Sequence, residues 1–79
     1  MTQGAERLMN ELGLDAVHYL VRHVTGDWGN VDEQDKEANE TAVYQGGRII
    51  SAYGEGQSRI LIVTEWDRSV TTILQPDEY

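Results

Sequence analysis

Glycine punctuation constrains this chain more than any other feature, because it leaves room only for short elements. Eight of the 79 residues are glycine, and most stand where an element has to stop. Gln3–Leu12 is built of good helix formers, with Ala5, Leu8, Met9 and Leu12 on one apolar stripe, and Gly13 is placed to end it in a left-handed turn. Asp15 can cap a second helix running to about Thr25, where Leu14, Val17, Val21 and Val24 predict the buried line and Leu20 widens it. Gly26-Asp27-Trp28-Gly29-Asn30 is a break, since two glycines and an Asn within five residues favour a turn. A third helix follows over Glu33–Gln45, capped by Asp32, with Asp35 completing a weak capping box. Its apolar face is thin: Ala38 and Ala42, with Val43 at the margin. Gly46-Gly47 stops it.

Beyond that point the pattern changes to strands. Arg48–Tyr53 and Ser58–Glu65 flank the four-residue connection Gly54-Glu55-Gly56-Gln57, and the turn Glu65-Trp66-Asp67-Arg68 leads into Ser69–Leu74. Ile60-Leu61-Ile62-Val63 is apolar on both faces, which places it at the centre of the sheet, while Pro76 ends the pairing. Short links imply an antiparallel meander with helices on one face. The expectation is one α+β domain over 1–79, in the order α-α-α-β-β-β.

Charge narrows the function. Fourteen Asp and Glu face six Lys and Arg, giving a net charge of −8. Asp27, Asp32, Glu33, Asp35, Glu37 and Glu40 fall within fourteen positions, with Lys36 the only base among them. Such a field repels nucleic acid and anionic membrane and attracts basic surfaces, of which those built to hold DNA or RNA are the most obvious. An acid-rich segment can equally be a plain solubility coat. Cys is absent, so there is neither a disulfide framework nor a thiolate metal site. Met1–Glu6 shows no secretion signal, and no apolar run approaches the ~20 residues that span a bilayer, so a cytoplasmic location is expected.

The acidic third helix is the leading functional candidate. Glu33, Glu37 and Glu40 follow i, i+4, i+7 spacing and so share one face, with neighbours about 6 Å apart, close to the phosphate spacing of a nucleic-acid strand. Asp32 adds charge at the start of that row. Asp27 and Trp28 form a second candidate, although a core that has no Phe must find bulk, which favours a structural role for Trp28. Trp66 sits in a turn and is expected to be exposed beside Glu65 and Asp67, with Arg68 in a surface ion-pair cluster.

Other chemistry finds little support. His18 and His23 are five apart on one helix, the wrong geometry for chelation, so no metal is expected. Asp67, Arg68, Ser69, Thr71 and Thr72 have no activating base in a recognisable position, and Gly54-Glu55-Gly56 carries an acid where phosphate would be repelled. The expectation is no enzyme and no cofactor. The six basic residues are scattered, which disfavours direct nucleic-acid binding.

Several segments carry a resemblance: Arg22-His23-Val24-Thr25-Gly26-Asp27-Trp28-Gly29, Glu37-Ala38-Asn39-Glu40, Gly46–Tyr53, and the tail from Ile62-Val63-Thr64-Glu65 through Asp67-Arg68-Ser69-Val70-Thr71-Thr72 to Pro76-Asp77-Glu78-Tyr79. Over roughly residues 17–79 they resemble a family of small acidic proteins carried by plasmids, phages and other mobile elements of proteobacteria. Members are often labelled subunits of type I restriction enzymes, but this chain is too short for a methyltransferase and has no cofactor loop. Size and charge are also similar to phage-encoded anti-CRISPR proteins, in particular inhibitors of type I-C surveillance complexes. That resemblance implies binding to a Cas protein subunit of the complex and blockage of its target-DNA path. Trp66 stands where relatives would be expected to carry a small residue.

The resulting expectation is an inhibitor that meets basic, DNA-contacting residues through Asp32, Glu33, Glu37 and Glu40, with Asp27, Glu65, Trp66 and Asp67 as secondary contacts. The alternative is a small accessory domain of a mobile element that binds a partner protein through a sheet edge or through Trp28 and Trp66. A monomer is expected, or a weak homodimer paired along Ser69–Leu74.

Overall fold

The computed structural model describes residues 1–79: three helices, α1 (Gln3–Leu12), α2 (Ala16–Val24) and α3 (Glu33–Gln45), then strands β1 (Ile49–Tyr53), β2 (Ile60–Thr64) and β3 (Thr71–Leu74). This is the expected α+β order, and β2 is central in an antiparallel β1-β2-β3 sheet. Each helix starts where a side chain can take its orphan N–H groups. Thr2 accepts from Ala5 N at 3.1 Å, Asp15 from Val17 N at 3.0 Å and Asp32 from Asp35 N at 2.8 Å. Gly13 ends α1 at φ 67°, a conformation that costs an L side chain ~1–2 kcal/mol.

The strands are shorter than the sequence suggests. The β1–β2 connection takes six residues, Gly54–Arg59, because a 3₁₀ turn at Gly56–Ser58 delays β2 until Ile60. Ser69 and Val70 are spent in the turn before β3, where Glu65 N–H donates to Val70 O at 3.0 Å.

The register puts Ser51, Tyr53, Ile60, Ile62, Thr64 and Ile73 on one sheet face. There α1 and α2 pack, with Ala5 and Met9 buried among Tyr53, Ile60, Ile62 and Ile73. A second cluster of Trp28, Val31, Ala42, Ile49 and Ala52 closes the space beside α3.

Two buried faces differ from expectation. In α2 the valines turn outward: Val17 and Val21 are more than half exposed and Val24 is 74% exposed. The inward face is Ala16, Tyr19, Leu20 and buried His23. The cause lies on the sheet, where Ser51 and Thr64 present inward hydroxyls that need a polar partner. His23 supplies it, with Nδ1 2.5 Å from Ser51 Oγ and Nε2 2.8 Å from Thr64 Oγ1. A buried hydroxyl left unpaired costs about 1–3 kcal/mol, and here two of them, Ser51 and Thr64, are answered by one imidazole.

In α3 the buried residues are Asn39 and Ala42, while Ala38 and Val43 are exposed. This helix lies against the edge of β1 instead of joining α1 and α2 on the face. The Asn39 amide donates to Ile50 O at 2.8 Å and accepts from Ile50 N–H at 3.0 Å, as a neighbouring strand would. Further along the same edge, Ala52 N–H donates to Trp28 O at 3.1 Å and Asn30 N–H donates to Ala52 O at 2.6 Å. The β1 edge is therefore closed to further pairing.

Candidate interaction surface

The α3 carboxylates form one face. Glu33, Lys36, Glu37, Glu40 and Thr41 line a single open, shallow surface. The spacing follows from helix geometry, and the direction in which the row points follows from Asn39 and Ala42 facing the sheet on the other side. Lys36 Nζ lies 3.4 Å from Glu33 Oε1, an exposed pair worth at most about 1 kcal/mol, so Glu37 and Glu40 are left uncompensated. Asp32 is exposed but occupied, since its carboxylate holds Asp35 N–H at the helix start, where the dipole favours an anion.

Asp27 belongs to a different part of the molecule. Arg22 Nε donates to its Oδ2 at 2.7 Å, Gly29 N–H donates to Oδ1 at 3.2 Å, and the Tyr53 hydroxyl donates to its carbonyl at 2.6 Å. The Arg22 hydrogen bond, chiefly, holds the carboxyl below the usual carboxylate range. Arg22 also stands 4.5 Å above the Tyr53 ring. Gly29 is forced by space: its φ is 72°, and a Cβ would stand 2.1 Å from Ala52 O. Trp28, 8% exposed, is part of the core. The Gly-Asp-Trp-Gly loop thus has a structural use, in that it seals the β1 edge.

The turn after β2 gathers the remaining candidates. Trp66 is 70% exposed, as expected. Glu65 is half-buried and pairs with Arg48 at 3.2 Å, while Arg48 also donates to the Tyr79 hydroxyl at 2.8 Å. Asp67 accepts from the N–H and hydroxyl of Ser69, which lowers its pKa. The expected ion pairing of Arg68 does not occur. Its guanidinium donates to the carbonyls of Gly47 at 2.6 Å and Ala42 at 2.7 Å, clasping the C-terminal end of α3, where a cation suits the dipole. Glu65, Trp66 and Asp67 are therefore joined to one end of α3 and Asp32 caps the other, about 18 Å away along the thirteen-residue helix. The eight candidates divide into an α3 row, a turn at its far end, and Asp27 held apart.

No protein-family model, curated protein or solved structure matches this chain.

Residues that sequence reasoning passed over do much of the positioning. His23, Asn39 and Arg68 each satisfy backbone or hydroxyl groups that no apolar contact could satisfy. The available signal was the inward parity of Ser51 and Thr64 beside Ile60 and Ile62, which demands a polar partner from a covering helix. Thr64 Oγ1 also lies 3.0 Å from Thr71 Oγ1, so four side chains form one chain of hydrogen bonds. Ser51 has no exposed surface and His23 is buried, so this Ser–His contact meets no substrate without displacement of α2. Burial holds the imidazole below its ordinary pKa, which keeps it neutral, one ring nitrogen donating and the other accepting. No group of three or more His, Asp or Glu side chains is arranged to hold a metal ion, and no helix is long and apolar enough to cross a membrane.

Proposed function

We propose that this protein is a non-enzymatic inhibitor of a nucleic-acid-binding complex. It covers a basic surface that otherwise contacts DNA, and blocks target binding by steric and electrostatic occlusion. The single observation that carries this reading is the exposed Glu33–Glu37–Glu40 row on a helix whose other side is fixed to the sheet. A row carried on a fixed backbone has only side-chain freedom to lose on meeting Lys and Arg, and like charges held about 6 Å apart gain from any cation brought between them. The family resemblance in the sequence directs the reading to a Cas subunit of a type I, notably type I-C, surveillance complex in the cytoplasm of a host bacterium. The chain itself contacts no nucleic acid in this mechanism.

A pull-down of tagged protein against purified type I-C surveillance complex, with target DNA added before or after, tests it. Co-elution that disappears when DNA binds first is the expected result, and absence of co-elution refutes the reading. Binding should weaken as salt rises, and Glu37→Lys with Glu40→Lys should weaken it by about tenfold or more. The second reading, an accessory protein-interaction domain, draws on the 70% exposure of Trp66. With Trp28 buried and the β1 edge closed, it is confined to Trp66, the short β3 edge and the exposed apolar side chains.

A further inference from the structure

The outward valines of α2 have no partner in the fold. Val17, Val21 and Val24 repeat at i, i+4, i+7 and so make one stripe along the helix. Val24 is also one wall of an open groove of about 390 Å³ between α2 and α3, which Trp28, Val43 and Tyr44 line as well. Tyr44 is 87% exposed, so its ring stands free beside the groove. Thr25, Gly26 and Glu40 complete the lining, and Glu40, its one charged residue, belongs equally to the carboxylate face of α3. A groove with four apolar side chains in its lining is thus continuous, through one residue, with a row of uncompensated negative charge.

We infer that this groove and the α2 stripe form the docking site for a basic amphipathic helix of the partner protein. Its apolar residues enter the groove and lie along the valines, while its Lys and Arg lie against Glu40 and Glu37. The inference rests on the proposed function and deepens it, because it adds an apolar anchor and names the form of the segment bound. A helix suits the site because anchors at i, i+4, i+7 on a partner match the same repeat on α2. Basic charge suits it because the rim contributed by α3 is acidic and Lys36 already answers Glu33. A second copy of this chain suits it poorly: each copy carries −8, and a two-fold contact through the groove would set Glu40 against its own counterpart. Apolar anchoring also supplies what the carboxylate row lacks, since aromatic and aliphatic groups buried at the centre of an interface carry most of its energy while rim charges mainly steer.

The test is an NMR titration of the ¹⁵N-labelled full chain with three synthetic peptides of equal length: a Leu/Lys amphipathic helix, a Leu/Gln helix of the same pattern, and oligolysine. The buried Trp28 indole N–H meets no acceptor in the chain, so its resonance reports groups arriving at the groove. The Leu/Lys helix should shift that resonance together with the Val24 and Tyr44 amides, and should bind about tenfold more tightly than either control. V24S with Y44S, both exposed positions whose change far-UV circular dichroism can show to be silent in the fold, should weaken it by about tenfold. Shifts confined to Glu33–Glu40, or unchanged affinity in V24S/Y44S, would overturn the inference. So would self-association of the chain that V24S/Y44S abolishes, because the occupant would then be a second copy. The two readings fail separately. Capture of the surveillance complex undiminished by V24S/Y44S removes the groove and leaves the inhibitor; peptide binding in the groove by a chain that ignores the complex does the reverse.

Discussion

Replacing Asn39 tests whether α3 is held by an amide rather than by apolar contact. Asn39 is buried, and its two hydrogen bonds satisfy both the N–H and the C=O of Ile50. Asn39→Ala orphans both groups at a strand edge that water reaches poorly, and each such group costs about 1–3 kcal/mol. Partial relaxation of α3 favours the lower half of that range, so the expected loss is ~2–4 kcal/mol, against ~4–12 kcal/mol for a whole domain of this size. Asn39→Asp adds a sign to the test. An ionised carboxylate can still accept from Ile50 N–H, but it opposes Ile50 O and is buried, so its folded-state pKa rises above the unfolded value of about 3.9. The protonated acid can donate and accept as the amide does, so the deficit relative to wild type should shrink as pH falls through the raised folded-state pKa. Urea unfolding followed by far-UV circular dichroism at about pH 7 and about pH 5, each variant against wild type at the same pH, measures both effects. Asn39→Ala within about 0.5 kcal/mol of wild type, or an Asn39→Asp deficit that does not narrow in acid, would refute the argument.

Four further outcomes are expected. Because the folded-state pKa of His23 is depressed below its ordinary 6.5, the unfolded chain takes up that proton first, so the contribution of His23 is whole above 6.5 and is lost as pH falls below it. His23→Gln should flatten that part of the stability–pH curve in urea titrations, and an unchanged slope would count against the assignment. The depressed carboxyls Asp27, Asp67 and Glu78 contribute in a lower window: their stabilisation is present above their ordinary values of 3.8 and 4.5 and is lost as pH falls through the folded-state ones. Arg68→Ala should cost about 1–2 kcal/mol through its carbonyl bonds. Because Arg68 sits at φ 65°, Arg68→Gly should be the more stable of the two by about 1 kcal/mol, and equal midpoints in thermal melts would contradict the clasp-plus-strain account. Gly29→Ala should lower stability by more than about 2 kcal/mol, since strain at positive φ adds to a clash with Ala52 O; a wild-type melting temperature would show that the loop can lift off β1.

The boundaries of α1 and α3 and the central place of β2 were legible because they rest on local chemistry: a capping side chain, a glycine, a run of apolar β-branched residues. The buried faces of α2 and α3 were less legible. Counting apolar residues selects Leu14, Val17, Val21 and Val24 with Leu20 for α2, and Ala38, Ala42 and Val43 for α3, of which Leu14, Leu20 and Ala42 do face inward. The sheet instead selects His23 and Asn39, because what a helix must cover includes hydroxyls and a bare strand edge. Arg68 was misread for a related reason. In sequence it follows two carboxylates, Glu65 and Asp67, but the chain reverses at that point, and its guanidinium reaches carbonyls at the end of α3. The Glu33–Glu37–Glu40 row was legible, since it needs only helical spacing; the sequence already set Asp27 apart in the loop, but not its occupation by Arg22 and Gly29.

The same polar anchoring explains how α3 can carry so much charge. A helix held by a broad apolar stripe must commit a large part of its circumference to the core. Here Asn39, Ala42 and the Arg68 clasp suffice, so both the Glu33–Glu37–Glu40 face and the Val43–Tyr44 side remain available. The arrangement also makes the surface vulnerable at a distance. Loss of Asn39 or Arg68 would loosen α3 and displace the carboxylate row and one groove wall together, reducing partner binding with no contact residue changed. Charge reversals on the row therefore separate recognition from docking only when circular dichroism and unfolding midpoint stay at wild-type values. Asn39→Ala serves as the opposite control, expected to lower the unfolding midpoint and partner binding in parallel.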